Sequence, residues 1–240
     1  MSISARRLQR TQKNSTGPVG VCTTPVVTLT VPDDGYSDGA YYVHNNMWNA
    51  GGYSVSQTMK VCAYNSWTIT ATADNNSGDG AVKTYPNTHK DYHDWGTGVE
   101  PTISSFTQMT SSFAFISPHV GIYDVAYDIW LNGVASGGST EVMIWTENYH
   151  QVPGGSIVAS ASFGGKTFNV WRSGSYIAFV PTVTMLSGTL DLLAIFNWVI
   201  SQGWIPANST VGQVCFGVEI VSTGGVPADF YLTDFSITDS

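Results

Sequence analysis

Short runs of alternating apolar and polar residues recur along the chain, each bounded by clusters of Gly, Asn, Asp and Pro. Runs rich in Val, Ile, Thr, Tyr and Phe with a period of two read as β-strands, because successive side chains point to opposite faces of a sheet. Such runs fall at Val26–Val31, Tyr41–His44, Trp67–Ala73, Ser111–Ile116, Tyr123–Leu131, Glu141–Trp145, Lys166–Trp171, Tyr176–Pro181, Val214–Ile220 and Phe230–Thr238. Turn sequences at 133–139 and 172–175 suit hairpins, so neighbouring strands are expected to be antiparallel. One segment departs from the pattern. From Ser187 to Gly203 the apolar residues Leu190, Leu193, Ile195, Phe196, Val199 and Ile200 fall close to a helical period. Ser187 offers an N-cap, Asp191 stands in the first turn and Gly203 is the stop. The economical architecture is an all-β fold: a two-sheet antiparallel sandwich with one α-helix packed on its outer face.

Length and composition fit this picture. A chain of 240 residues suits one domain, and 42% hydrophobic residues suffice for a substantial core. Only 11% of residues are charged; polarity comes from Ser, Thr, Asn and Gly, as in many extracellular β-proteins. No apolar run is long enough to span a bilayer, the interrupted stretch Leu190–Trp204 coming nearest. Four of the nine basic residues, Arg6, Arg7, Arg10 and Lys13, precede the first acid, Asp33, which leaves an acidic body. Such a body repels phosphate backbones, so nucleic acid is not an expected partner, and without a spanning run a membrane is not one either. Residues 1–20 read as a tail or linker ahead of a domain at 21–240, and no apolar segment follows the basic head as in a signal peptide. Three cysteines divide naturally into one disulfide and one free thiol, with three reduced thiols as the alternative. Cys215 lies in an apolar strand, as a small buried hydrophobe would. No Cys/His spacing resembles a zinc site.

The chemistry is expected where glutamate sits. Only Glu100, Glu141, Glu147 and Glu219 occur, and strand propensity disfavours glutamate within strands. Alternation puts Glu141, Met143, Trp145 and Glu147 on one face of their strand, Glu219 opposite Phe216, Val218 and Ile220, and Asp128 and Trp130 opposite Tyr127, Ile129 and Leu131. Asp128 would lie within a residue or two of facing Glu141 across a hairpin. Three carboxylates on the non-core faces of three strands can line one groove. Glycosidic hydrolysis with retention uses such a pair, about 5–5.5 Å apart: one carboxylate attacks the anomeric carbon while the other donates a proton and then activates water. Trp130 and Trp145 read as sugar platforms or groove-floor packing. Glu100 and Glu147 read as surface groups.

At these residues the chain resembles glycoside hydrolase family 12. The stretches that carry the resemblance are NNMWN (45–49), TYPN (84–87), YDIWLN (127–132), EVMIW (141–145), VPGG (152–155), SGTLDLLAIFNWVISQGW (187–204), CFGVEI (215–220) and FYLTDFSI (230–237). EVMIW and FGVE are the specific parts. The resemblance implies a bent jelly roll and a retaining endo-β-1,4-glucanase, with Glu141 as nucleophile, Glu219 as acid/base and Asp128 assisting the nucleophile. It places Met143 beneath the reacting sugar, Trp48 as a stacking platform with Asn46 nearby, and Pro153 in a loop across one end of the cleft. It also implies a Cys22–Cys62 disulfide and a secreted monomer acting on β-1,4-glucan, and the carboxylate chemistry calls for no cofactor or metal. Two places depart from the family pattern. Asn49 stands where glycine is expected, and 88–101 is a longer or more polar segment whose His89, Tyr92, His93 and Trp95 either meet sugar or form a surface loop. Xyloglucan and mixed-linkage glucan are alternative substrates. A carbohydrate-binding sandwich is the alternative from another class, although it gains nothing from two opposed glutamates.

Overall fold

The computed structural model describes residues 20–240, so the tail expected over 1–20 lies, Gly20 apart, outside the described residues. In chain order the strands are β1 (Val27–Leu29), β2 (Gly35–Asp38), β3 (Tyr41–His44), β4 (Val55–Ala63), β5 (Ser66–Ala73), β6 (Asn87–Asp91), β7 (Met109–Ile116), β8 (Ile122–Leu131), β9 (Thr140–Tyr149), β10 (Ser156–Phe163), β11 (Lys166–Ser173), β12 (Tyr176–Pro181) and β13 (Ser187–Asp191). Helix α1 (Leu192–Ser201), β14 (Val211–Ser222) and β15 (Ala228–Asp239) complete the order. A six-stranded sheet, β1-β4-β5-β15-β7-β13, packs on a nine-stranded sheet, β10-β11-β12-β9-β8-β14-β6-β3-β2. The strand pattern implies this two-sheet sandwich, and the resemblance its jelly-roll form.

One strand pair differs from the antiparallel expectation. β12 runs parallel to β9, pairing Tyr176 with Glu141 and Phe179 with Ile144. The loop 150–155 carries the chain from the end of β9 back to the level of Val142, so the β10–β11–β12 meander finishes alongside β9 in the same direction. Gly155 closes this return. A Cβ there would lie 2.1 Å from the Arg172 carbonyl oxygen, and its φ of +83° suits glycine.

The core lies between the sheets and is aromatic. Phe216 and Phe235 stack at 5.7 Å, Tyr127 lies 4.6 Å from Phe216, and Trp67 meets Phe115 edge-to-face at 5.8 Å. The polar ends of these rings are satisfied: the Tyr127 hydroxyl meets Ser111 Oγ at 2.9 Å, and Trp67 Nε1 donates to Thr88 Oγ1 at 2.8 Å. The disulfide Cys22–Cys62 ties the chain ahead of β1 to β4, leaving Cys215 free and buried.

The helix starts later than its apolar spacing suggests. Ser187–Asp191 is strand β13, paired with β7, and Asp191 is the N-cap, accepting from the Ala194 N–H at 2.9 Å. Leu190 satisfies both a helical and a strand period, so spacing alone does not separate the two. Gly203, at φ +70°, ends the segment as expected. Leu192, Ile195, Phe196 and Val199 join the common core, and Trp198 packs edge-to-face on Phe179.

Glu147 corrects another expectation. The β8–β9 register slips between Val125 and Ala126, where a bulge in β9 opposes Val125 to Glu147 and Ala126 to Trp145. The bulge turns Glu147 from the face of Trp145 to that of Val125, into the protein. Its carboxylate is buried, accepts from Ser117 Oγ (2.7 and 2.8 Å) and the Tyr123 hydroxyl (3.1 Å), and meets His119 Nε2 at 2.8 Å. Glu147→Ala strips these buried donors of their acceptor and is expected to lower the unfolding free energy by roughly 1–3 kcal/mol, measured by urea denaturation.

Candidate active site

Three neighbouring strands, β9-β8-β14, carry the site. On β8 the core side is Tyr123, Val125, Tyr127, Ile129 and Leu131, all buried, so Asp124, Ala126, Asp128 and Trp130 take the opposite face. On β14 the same alternation sets Phe216, Val218 and Ile220 inward and Cys215, Gly217 and Glu219 outward. On β9 it sets Val142 and Ile144 inward and Glu141, Met143 and Trp145 outward. Register then assembles the groups. Glu141 faces Trp130 and Met143 faces Asp128 across β8–β9; Cys215 faces Asp128 and Glu219 faces Asp124 across β8–β14. Gly217 is required by close approach, because a Cβ would lie 2.1 Å from the Pro86 carbonyl oxygen.

Glu141 and Glu219 line two cavities at once, and so stand where the two meet. The larger, about 910 Å³, is also lined by Asn46, Trp48, Asp128 and Trp130. The smaller, about 360 Å³, is lined by Met143, Trp145, Pro153 and Tyr176. Trp48 is 65% exposed, an open aromatic face. Asn46 holds φ +36°, and its carbonyl accepts from the Tyr85 N–H at 2.8 Å. Asn49 needs no glycine-like backbone; its Nδ2 donates to the Val82 carbonyl at 2.8 Å. Met143 and Trp145 are each 1% exposed and pack with Ala126 and Ala178, which makes them cleft floor.

The segment 88–101 divides. His89 and Trp95 line the larger cavity, whereas Tyr92 packs edge-to-face on Phe106. Trp95 is 65% exposed and donates from Nε1 to Asp91 at 3.1 Å. His93 instead meets Glu100 at 2.7 Å. Glu100 is no surface group. Its side chain is largely buried, and it accepts from the Gly133 N–H at 3.1 Å and from Thr210 Oγ1, fixing this loop to the β8–β9 turn. Burial works to raise its pKa, but the bonds from Thr210, His93 and Gly133 outweigh it and hold the carboxyl below its usual range.

The cleft carboxyls behave oppositely. Burial, then the charge of Glu141, pushes Glu219 up to about 7, and burial raises Glu141 as well. Burial together with Glu141 and Glu219 raises Asp128 well above the carboxylate range, and one of its oxygens is buried without a partner. The sequence reading missed Asp124. It is fully buried against Glu219, and continuing the β8 alternation upstream from Asp128 would have found it. Among the described residues no group of His, Cys, Asp and Glu is arranged to hold a metal ion.

Residues 39–238 match the family model for glycosyl hydrolase family 12. The chain belongs to this family. Among its relatives, an endoglucanase A of Aspergillus kawachii is 28% identical over 226 residues, covering 85% of this chain and 89% of the relative. An endoglucanase S of Pectobacterium parmentieri is 24% identical, covering 79% of each. Among solved structures, the xyloglucanase domain of NopAA, a type three effector from Sinorhizobium fredii bound to cellobiose, superposes with a TM-score of 0.75 at 29% identity, covering 90% of this chain and all of that one. The endoglucanase cel12A from Rhodothermus marinus gives 0.74 at 26% identity, covering 90% of this chain and 99% of that one.

The raised carboxyls have a thermodynamic consequence. A folded state with raised carboxyl pKa values binds more protons than the unfolded chain, so its stability is greatest below the unfolded values and falls as pH rises towards and past about 7. Thermal unfolding of this family 12 protein is expected to move to lower temperature between pH 5 and pH 8, and Glu219→Gln to flatten that decline.

Proposed function

We propose that this family 12 glycoside hydrolase is an endo-β-1,4-glucanase that cuts internal bonds of β-glucan with retention. The observation that carries the reading is the pair Glu141 and Glu219 at the junction of two cavities, where burial and the Glu141 charge push Glu219 up to about 7 and suit it to hold a proton. A glucan chain lies through the larger cavity, over Trp48 and past Asn46 and Trp130, and leaves beneath the Pro153 loop. The scissile bond then rests over the junction, above the Met143 and Trp145 floor. An open groove admits the polymer anywhere along its length.

Glu141 attacks the anomeric carbon as the Glu219 carboxyl protonates the departing oxygen, giving a glycosyl ester on Glu141. Glu219, now a carboxylate, takes a proton from the water that attacks the same carbon and releases Glu141. Asp128, neutral because burial and the neighbouring charges keep its proton on, is a hydrogen-bond donor to the ionised nucleophile and eases its charge. The disulfide supports a site of action outside the cell. Xyloglucan is the second reading, favoured by the likeness to the xyloglucanase domain of NopAA.

The test is reducing-sugar release from carboxymethylcellulose, barley glucan and xyloglucan. Glu141→Gln is expected to fall to background and Glu219→Gln by about 10²–10⁴-fold, with nascent products in the β-anomeric form by NMR. An α-anomeric first product, or undiminished activity in either variant, sinks the proposal. Trp95 supplies a separate expectation. Trp95→Ala should raise KM for long glucans by roughly 2–10-fold, the worth of one aromatic contact, and leave KM for a short aryl cellobioside unchanged.

A further inference from the structure

We propose that Asp124 keeps its proton throughout the catalytic cycle and donates a hydrogen bond from it to the Glu219 carboxyl, which makes it a positioning residue for the acid/base. The proposal rests on the reading of Glu219 as acid/base. Asp124 is wholly buried, and neither of its oxygens meets an N–H or O–H donor among the described residues. An ionised carboxylate in that setting loses its hydration and gains nothing in return. What it faces, in register across β8–β14, is Glu219, and two carboxyls bond each other only with a proton between them.

The surroundings fix which state is tenable. Asp128 stands on the same strand face, Glu141 on β9 and Glu219 on β14, and the hydroxyls of Tyr85 and Tyr176 approach from the segment before β6 and from β12. Among the described residues, no lysine, arginine or histidine is one of the groups acting on Asp124. Burial, the Glu219 charge and the bond to Glu219 all push its proton affinity up, while the same bond eases ionisation of Glu219. Asp124 therefore carries the proton, and Glu219 is free to give and take its own.

The balance of the reaction is unaffected. In the first step the proton on Glu219 goes to the glycosidic oxygen as the bond from that oxygen to the anomeric carbon breaks and the Glu141 ester forms. Glu219 becomes a carboxylate, and the Asp124 O–H bond to it changes from a neutral to a charge-assisted one. In the second step Glu219 takes a proton from the attacking water, the Glu141 ester bond breaks and the Asp124 bond relaxes again. Asp124 never transfers its proton. Its bond is strongest when Glu219 is charged, so it helps the acid to let go and holds its orientation between the steps.

Two variants separate this role from packing. Asp124→Asn keeps the shape and a neutral N–H donor; Asp124→Leu keeps the bulk and removes the donor. On carboxymethylcellulose, Asp124→Asn is expected to stay within about threefold of the wild type, with the alkaline limb of its pH profile unmoved. Asp124→Leu should lose roughly 10–100-fold in kcat at unchanged KM, and its alkaline limb should move to higher pH. In infrared difference spectra, the wild type should show one protonated-carboxyl band more than Asp124→Asn, the bands of Asp128 and Glu219 being common to both. The proposal is overturned if Asp124→Asn moves the alkaline limb to lower pH, as removal of a negative charge would, if it keeps as many such bands as the wild type, or if Asp124→Leu matches the wild type. Should Asp124→Leu fail to fold, the pH profile and spectrum of Asp124→Asn decide alone. Glu219→Gln, measured alongside, separates the two readings: full activity there removes the acid/base assignment itself, whereas loss there with inert Asp124 variants removes only this proposal.

Discussion

Placing several carboxyls on one largely buried face of a sheet is costly, and the molecule around the cleft is arranged by that cost. Asp124, Asp128, Glu141 and Glu219 project from three adjacent strands, and among the described residues no lysine or arginine acts on any of them. Such a group cannot be fully ionised, because each added charge is both desolvated and repelled. The cluster must therefore hold protons at a pH where exposed acids have lost theirs. What keeps the groups together despite this is the opposite face of the same strands, where Tyr127, Phe216, Val218 and Ile144 are locked into an aromatic core shared with the second sheet. Burial on one side thus holds strained electrostatics on the other.

The acids of this chain are sorted by what their neighbours offer. Glu100 receives bonds from His93, Gly133 and Thr210, and Glu147 from Ser117 and Tyr123 with His119 alongside. Both tie loops to strands. Asp124 receives none from an N–H or hydroxyl, and one Asp128 oxygen is left unmet. Donors make a carboxylate a structural tie, and their absence leaves it able to keep a proton at neutral pH.

Sequence carried the part of this that is local. Alternation within a strand fixes which residues share a face, so Glu141, Asp128 and Glu219 could be placed opposite the core before any coordinates, as could most strands and the end of the helix at Gly203. Information that depends on distant partners was not there to read. Glu100 depends on Thr210, 110 positions away, and on Gly133, 33 away. The start of the helix turns on whether Ser187–Asp191 finds β7 to pair with, and the parallel β9–β12 contact turns on where a return loop lands. Asp124 is a different kind of omission. Its signal is local, two same-face steps along β8 from Asp128.

The bulge in β9 joins these threads. With an unbroken period of two, Glu147 would follow Glu141, Met143 and Trp145 onto the cleft face and add a fifth acid to a group that has no cation among the described residues. One extra residue sends it to the other side, where Ser117 and Tyr123 can bond it. The same irregularity lies opposite Val125 and Ala126, beside the stretch of β8 from Asp124 to Asp128 that faces Glu219 and Cys215 across its other edge. A single local break in the ladder thus keeps a carboxylate that needs donors apart from those that do without them, and holds the cleft face to four acids.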